Sequence, residues 1–501
     1  MVRCDVLFLD NARVYRYDRA TRRFVRGERL LLEGEHIAGI DVDPSGLSCE
    51  RIDLDGATVL PAFADCHVHL AETGYAIGPH SLASVETYDD FATAVTNIPR
   101  EFEIVYAGGY DDARWHDART ADAAPLERAH ADALAMLVRV DAHSCIVNRR
   151  TLAWLDLEHL EGIERDEAGA PTGRLTLAAN WQAQARFMER MPLEVRRNSE
   201  RRAADLARSR GIAHLHAQLL GRDPEGYAED VEFLATLPIR IHPKICEPDP
   251  GLAHALGLPY IGGDVFLDGS LGSCTAALSE PYARDRGSGA LRFADEEVTN
   301  YVAQAEARGI SAGVHAIGDA AIDQFIRAVR VVLHERPSPH GTHHFIEHFE
   351  MPHPDHVDAC VRMQLHLSMQ PQFHATWGHD DGMYDDRLGS QRRRAMNPLH
   401  ALVREGALVC GGSDSPVCAL DALGGMHAAC TAQEPESCLD PHDALALYTI
   451  NAAAFAGESH RTGNLHPGLR ADLVVLDRDP FDGASFSDAS VLHTYIGGAR
   501  S

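Results

Sequence analysis

Lysine is almost missing from this 501-residue chain: Lys244 is the single one, against 45 arginines. A guanidinium stays cationic, whereas an amine can be deprotonated or carbamylated, so a lysine that survives such a bias is expected to do something arginine cannot. Positive charge is short overall. Lys plus Arg number 46 against 74 Asp plus Glu, a net charge of −28, which repels phosphate backbones and anionic lipid and argues against nucleic-acid or membrane partners. No stretch reaches the ~18 apolar residues of a membrane span, and Met1 to Asp10 lacks a basic region followed by an apolar run. The eleven cysteines are odd in number and contain no Cys-x-x-Cys pair, which excludes a disulfide framework and a thiolate zinc knuckle. A cytoplasmic protein acting on a small molecule is the expectation, with homo-oligomer formation left open.

What is present is a globular composition, 45% hydrophobic and 24% charged, with β-rich ends around a long middle. Asp5 to Leu9, Arg13 to Tyr17 and Arg29 to Leu32 read as strands at one end, and Leu473 to Leu476 and Val491 to Ile496 at the other. Both ends together predict one small β-sandwich domain, 1–58 with 460–501. Between them, apolar strand-like runs alternate with helical patterns, the rhythm of an α/β fold. Ten runs qualify, beginning at Thr58, Ile104, Ala135, Ile212, Ile239, Asp264, Ser311, His344, Gln364 and Leu408. A (β/α)8 TIM barrel over 59–459 is the natural candidate, with at least one run as an excursion, and in that fold chemistry gathers at the C-terminal ends of the strands.

Twenty-nine histidines supply metal ligands and proton carriers. In Asp65-Cys66-His67-Val68-His69, alternation turns both imidazoles to one face after an apolar strand. Later strands end in His315 and His348, and Gly411-Gly412-Ser413-Asp414 sets a carboxylate after another. Singly, each could be an ordinary polar residue. Jointly, four histidines and an aspartate at strand ends form the ligand set of a barrel hydrolase. His143, after a further strand, could bond a carbonyl oxygen or oxyanion. For Tyr110 and Trp115, packing competes with a place in the substrate pocket, and the tract from His374 to Asp381 reads as a polar loop over the barrel mouth.

These motifs, with Arg139-Val140-Asp141-Ala142-His143, Asp268-Gly269-Ser270-Leu271-Gly272-Ser273, His315-Ala316-Ile317-Gly318-Asp319 and Ile346-Glu347-His348, resemble the amidohydrolase superfamily, in the branch containing N-substituted formamide deformylases. The resemblance runs over nearly the whole chain. It implies cleavage of a carbon–nitrogen bond at a two-metal site, usually zinc, with one ion or another divalent metal also open. His67 and His69 would bind one ion, His315 and His348 the other. Asp414 would accept a proton from the attacking metal-bound hydroxide's parent water, pass it to the leaving nitrogen, and touch the first metal.

The resemblance also implies a carboxylated lysine bridging the ions, four residues before Asp268, where this chain has Asp264. Three readings stay open: a carbamate on Lys244 arriving from a neighbouring strand, the Asp264 carboxylate itself, or a degenerate site with Lys244 incidental. Two wider rivals are a single-metal deaminase and a non-catalytic barrel. A deaminase usually places a glutamate soon after the later histidine, whereas here Asp319 follows His315. Retention of all four histidines and Asp414 argues against a non-catalytic barrel.

Overall fold

Strands from the two chain ends interleave, and this brings residues more than four hundred positions apart into one sheet. The computed structural model describes residues 6–500 apart from 47, 113–114, 118, 140–143, 158–159, 190, 335 and 484. One terminal sheet is four-stranded, in the order His36–Ile40, Leu30–Glu33, Val6–Asp10, Glu50–Asp53. The other is six-stranded, and in it Leu473–Leu476 pairs antiparallel with Thr58–Pro61, Leu473 opposite Pro61 and Leu476 opposite Thr58. Leu9, Leu30, Leu32 and Ile37 of the first sheet share one buried core with Val14, Val59, Leu473 and Val475 of the second. Fully burying such side chains stabilises by about 1.5–3 kcal/mol each.

A row of eight parallel strands follows, alternating with helices: Phe63–Val68, Ile212–Leu219, Arg240–Ile245, Tyr260–Ile261, Ser311–Ala316, Phe345–His348, His366–Met369 and Leu408–Gly411. Each is laddered to the next, except that Arg240–Ile245 meets the fourth strand through Gly262 N–H to Ile245 O at 2.8 Å. The last strand returns to the first. Asp414 N donates to His67 O and His69 N to Ser415 O, both at 2.9 Å. The helices bury one stripe each; in Asp319–Leu333 the buried Ile322, Phe325, Ile326, Val329 and Leu333 recur three or four apart.

The fold is thus α/β, and the surplus of candidate strands has a structural reason. The chain divides into two compact units, 1–69 with 205–501, and 70–204. The runs at Ile104 and Ala135 lie in the second unit, as Ile104–Tyr110 and Leu134–Arg139 of a separate five-stranded sheet whose other pairings are antiparallel. The run expected at Asp264 is not a regular strand. Gly262 and Gly263, at φ 89° and 118°, turn the backbone there, and Phe266 keeps only an isolated bridge to His315. Among the described residues no helix is long and apolar enough to cross a membrane.

Leu473 stands in a strand that neighbours both ends of the chain, with no exposed surface. Leu473→Ala is expected to cost about 2–5 kcal/mol, read as a lowered Tm. An unchanged Tm would contradict the shared core.

Candidate metal centre

The C-terminal ends of four of the eight strands carry ligand-bearing side chains to one place. His67 is next to last in Phe63–Val68 and His69 follows it, so alternation sends both imidazoles the same way. His315 and His348 stand at the ends of the Ser311–Ala316 and Phe345–His348 strands, and Asp414 lies three residues beyond Leu408–Gly411. His348 and Asp414 have φ of 74° and 55°. Non-glycine residues adopt that region at a cost, and such strain is found where a side chain must be aimed.

Asp264 reaches the same place from the irregular segment. A Cβ on Gly262 would fall 2.0 Å from Gly313 O, and one on Gly263 would fall 2.2 Å from Gln218 Oε1. The two glycines therefore let the main chain run inside the row of strands, where a side chain as short as aspartate suffices. Its carboxylate is shared. Oδ2 lies 3.4 Å from His67 Nε2 and 3.1 Å from His69 Nε2, while Oδ1 lies 3.7 Å from both His315 Nδ1 and His348 Nε2. Asp414 Oδ1 completes the cluster, 3.3 Å from His67 Nε2 and 3.1 Å from His69 Nε2.

Each of three imidazoles is held by its other nitrogen. His67 Nδ1 meets Glu347 Oε2 at 2.8 Å, His348 Nδ1 meets Gln370 Oε1 at 2.8 Å, and His315 Nε2 meets Gly269 O at 3.2 Å. Acceptors on the outer nitrogen leave the inner one bare toward the cluster, as metal-ligating histidines require. Asp65 ties the two end strands by accepting from Ser413 N and His67 N. Asp268 clasps the loops by accepting from Ile317 N, Gly318 N and Ala277 N.

Four atoms facing the cluster are buried without a hydrogen-bond partner: His67 Nε2, His315 Nδ1, Asp264 Oδ1 and Asp414 Oδ1. Burial pushes the Asp264 carboxyl up, but the facing imidazoles of His67, His315 and His348 outweigh it and hold it well below the usual carboxylate range. The same contest, with His67 and His69, lowers Asp414. Buried carboxylate oxygens and imidazole nitrogens crowded together without hydrogen-bond partners suit a cation, and three overlapping groups are close enough to share one: His67, His69 and Asp264; His67, His348 and Asp414; Asp264, His315 and His348.

The unmodified Lys244 amine lies one contact outside this cluster, linked to His67 through Glu347. It donates to Glu347 Oε1 at 2.5 Å and to Cys66 O at 2.9 Å, the bonding of an ammonium beside a carboxylate. His143 lies outside the described residues. Tyr110 and Trp115 pack in the core of the 70–204 unit, their rings 5.6 and 5.3 Å from that of Phe91. Pro371–Trp377 is a helix, not the loop expected from His374 onward. His214, with His242 and Glu458, forms another group close enough for an ion, but Arg240 and Arg461 already pair with that carboxylate. Glu347 and Gln370 were not among the site residues expected from the sequence. A charged residue in the wholly buried strand Phe345–His348 was a usable signal for the first; nothing local marks the second.

A model of the amidohydrolase family matches residues 50–500. The chain is 24% identical to the N-substituted formamide deformylase of Arthrobacter pascens over 530 residues, covering 94% of each protein. It is 27% identical to the protein LONG AFTER FAR-RED 3 of Arabidopsis thaliana over 498 residues, covering 90% of this chain and 83% of that one. Among solved structures, an uncharacterized metal-dependent hydrolase from Pyrococcus furiosus superposes with a TM-score of 0.78 at 23% identity, covering 95% of this chain and 100% of that one. At that identity the likeness speaks for the fold alone.

The approach of Asp264 depends on the bare backbone at Gly263. Gly263→Ala combines a positive φ with a clash against Gln218, and is expected to cost about 1–3 kcal/mol and to weaken metal retention. Metal retention equal to wild type, measured after dialysis, would contradict the role given to that turn.

Proposed function

The chain belongs to the amidohydrolase family, and from that premise we propose a hydrolase of a carbon–nitrogen, amide-like bond in a small substrate, with two divalent ions, zinc by preference, at the strand ends. The single observation that carries this reading is the Asp264 carboxylate shared between two pairs of imidazoles, His67 with His69 and His315 with His348. In this reading the eight strands close as a (β/α)8 barrel within 59–459, interrupted by the 70–204 unit, and the terminal sheets form a small β-sandwich. The acidic surface charge fits a small-molecule partner, and the cytoplasm is the proposed location.

The donor set of imidazole nitrogens and carboxylate oxygens matches zinc and similar divalent ions. When bound, such ions polarise a carbonyl and bring the pKa of water toward ~7. The protein's own groups do the rest. Asp264 would balance the charge of both ions. Asp414, an ionised carboxylate beside the His67–His69 pair, would accept a proton and return it to the departing nitrogen, which is general acid–base work. A deformylase among the relatives makes N-substituted formamides the first substrates to assay.

Three outcomes are expected. His348→Ala and Asp264→Ala should each lose metal and activity, with the fold retained because most of the core is elsewhere; full metal occupancy in either would sink the assignment. Asp414→Asn should keep most of the metal while turnover drops roughly 10²–10⁴-fold, and an active variant would mean that another group moves the proton. Because Asp264 is encoded rather than made from carbon dioxide, apoprotein should reload with zinc and regain activity equally well with or without bicarbonate. A bicarbonate requirement would restore the carbamate.

A further inference from the structure

The lone lysine is buried and charged beside the centre rather than in it. Lys244 has no exposed surface. It lies on the Arg240–Ile245 strand opposite Gln218, and its stem is packed closely enough that a Cβ on Gly263 would sit 3.2 Å from its Cδ. The nitrogen lies 5.0 Å from the centroid of the Phe345 ring and 4.6 Å from that of Phe455, so aromatic faces as well as oxygens surround the ammonium. A planar guanidinium is bulkier and cannot act as a compact point charge in such a space. That is a reason for lysine here in a chain that otherwise uses only arginine.

Its principal partner is Glu347, which is equally buried. One oxygen of this carboxylate faces Lys244 Nζ and the other faces His67 Nδ1, at 2.5 and 2.8 Å. The carboxylate is thus fixed from both sides, by the Lys244 amine on one oxygen and by the His67 ring on the other. A carboxylate can only accept, so Nδ1 of His67 carries hydrogen toward Glu347, and Nε2 is the nitrogen that faces Asp264 and Asp414. Without the Lys244 amine, one oxygen of this enclosed carboxylate would lose its partner, and with it the hold that keeps the other oxygen against His67 Nδ1.

We propose that Lys244 is a positioning residue, whose ammonium holds Glu347 as the acceptor that locks His67 with Nε2 presented to metal. This inference rests on the metal centre proposed above. It gives the lysine a different task from the bridging one, while Asp264 supplies the bridge.

The test compares wild type, Lys244→Met, Glu347→Gln and the double variant by zinc affinity, measured in competition with a chelator, and by imidazole NMR of His67. Each single variant is expected to bind zinc about 10- to 100-fold more weakly and to lose the hydrogen-bonded Nδ1 proton. The double variant should be no worse than the weaker single, because both act through one link. Wild-type affinity in Lys244→Met, or losses that multiply in the double variant, would overturn the proposal. So would a carbamate signal on Lys244 after growth with isotope-labelled bicarbonate. Should Lys244→Met fail to fold, the double variant leaves no unpaired buried charge and carries the same readouts. The Nδ1 proton is also read without metal, so failure of wild type to bind zinc would end the proposed centre and leave this link separately testable.

Discussion

Everything near the centre follows from crowding two carboxylates and four imidazoles together, all but His69 buried. Asp264 cannot be solvated, nor can the inner nitrogens of His67 and His315, and a buried polar atom without a partner is costly. The chain accepts that cost at several atoms in one small volume. The surrounding structure makes sense as the means of keeping those atoms fixed and bare. Positive φ at His348 and Asp414 aims two of the side chains, while the Asp65 carboxylate ties the first strand to the last by accepting from the backbone N–H of Ser413.

Around this cluster lies a layer that never touches its centre. Glu347, Gln370 and the Gly269 carbonyl each take one imidazole nitrogen, which determines what the other can do. Glu350, two residues past His348, is raised to about 7 by burial and is held by the Tyr384 hydroxyl at 2.7 Å. Thus neighbouring imidazoles or the lysine hold the carboxyls of Asp264, Asp414 and Glu347 down, whereas at Glu350 burial outweighs the Tyr384 hydroxyl. Environment rather than residue type sets the charge of each acid.

The histidines were legible because each closes an apolar run, and strand alternation converts a two-residue spacing into a common direction. Asp264 was legible as one of three alternatives, since it occupies the position at which the family resemblance expects a lysine. The position of Lys244 was not legible. It depends on the register that sets it opposite Gln218 and on a partner 103 residues further along the chain, and neither is encoded locally. The separate unit 70–204 escaped for a similar reason: Ile104–Tyr110 and Leu134–Arg139 are apolar runs like those of the parallel row, and local pattern does not say which sheet a buried strand will join. The two glycines before Asp264 carried more information than the apolar residues after it, because they let the backbone come close enough for a short side chain to serve.

The central claim is that a side chain encoded at position 264, not a modified lysine, joins the two histidine pairs around bound metal. Anomalous diffraction from zinc-loaded crystals at neutral pH measures it most directly. The account predicts peaks flanked by His67, His69, His315 and His348 with the Asp264 carboxylate between them, and an unmodified Lys244 bonded to Glu347. Peaks bridged by a carbamate on Lys244, or no peak within reach of Asp264, would contradict it.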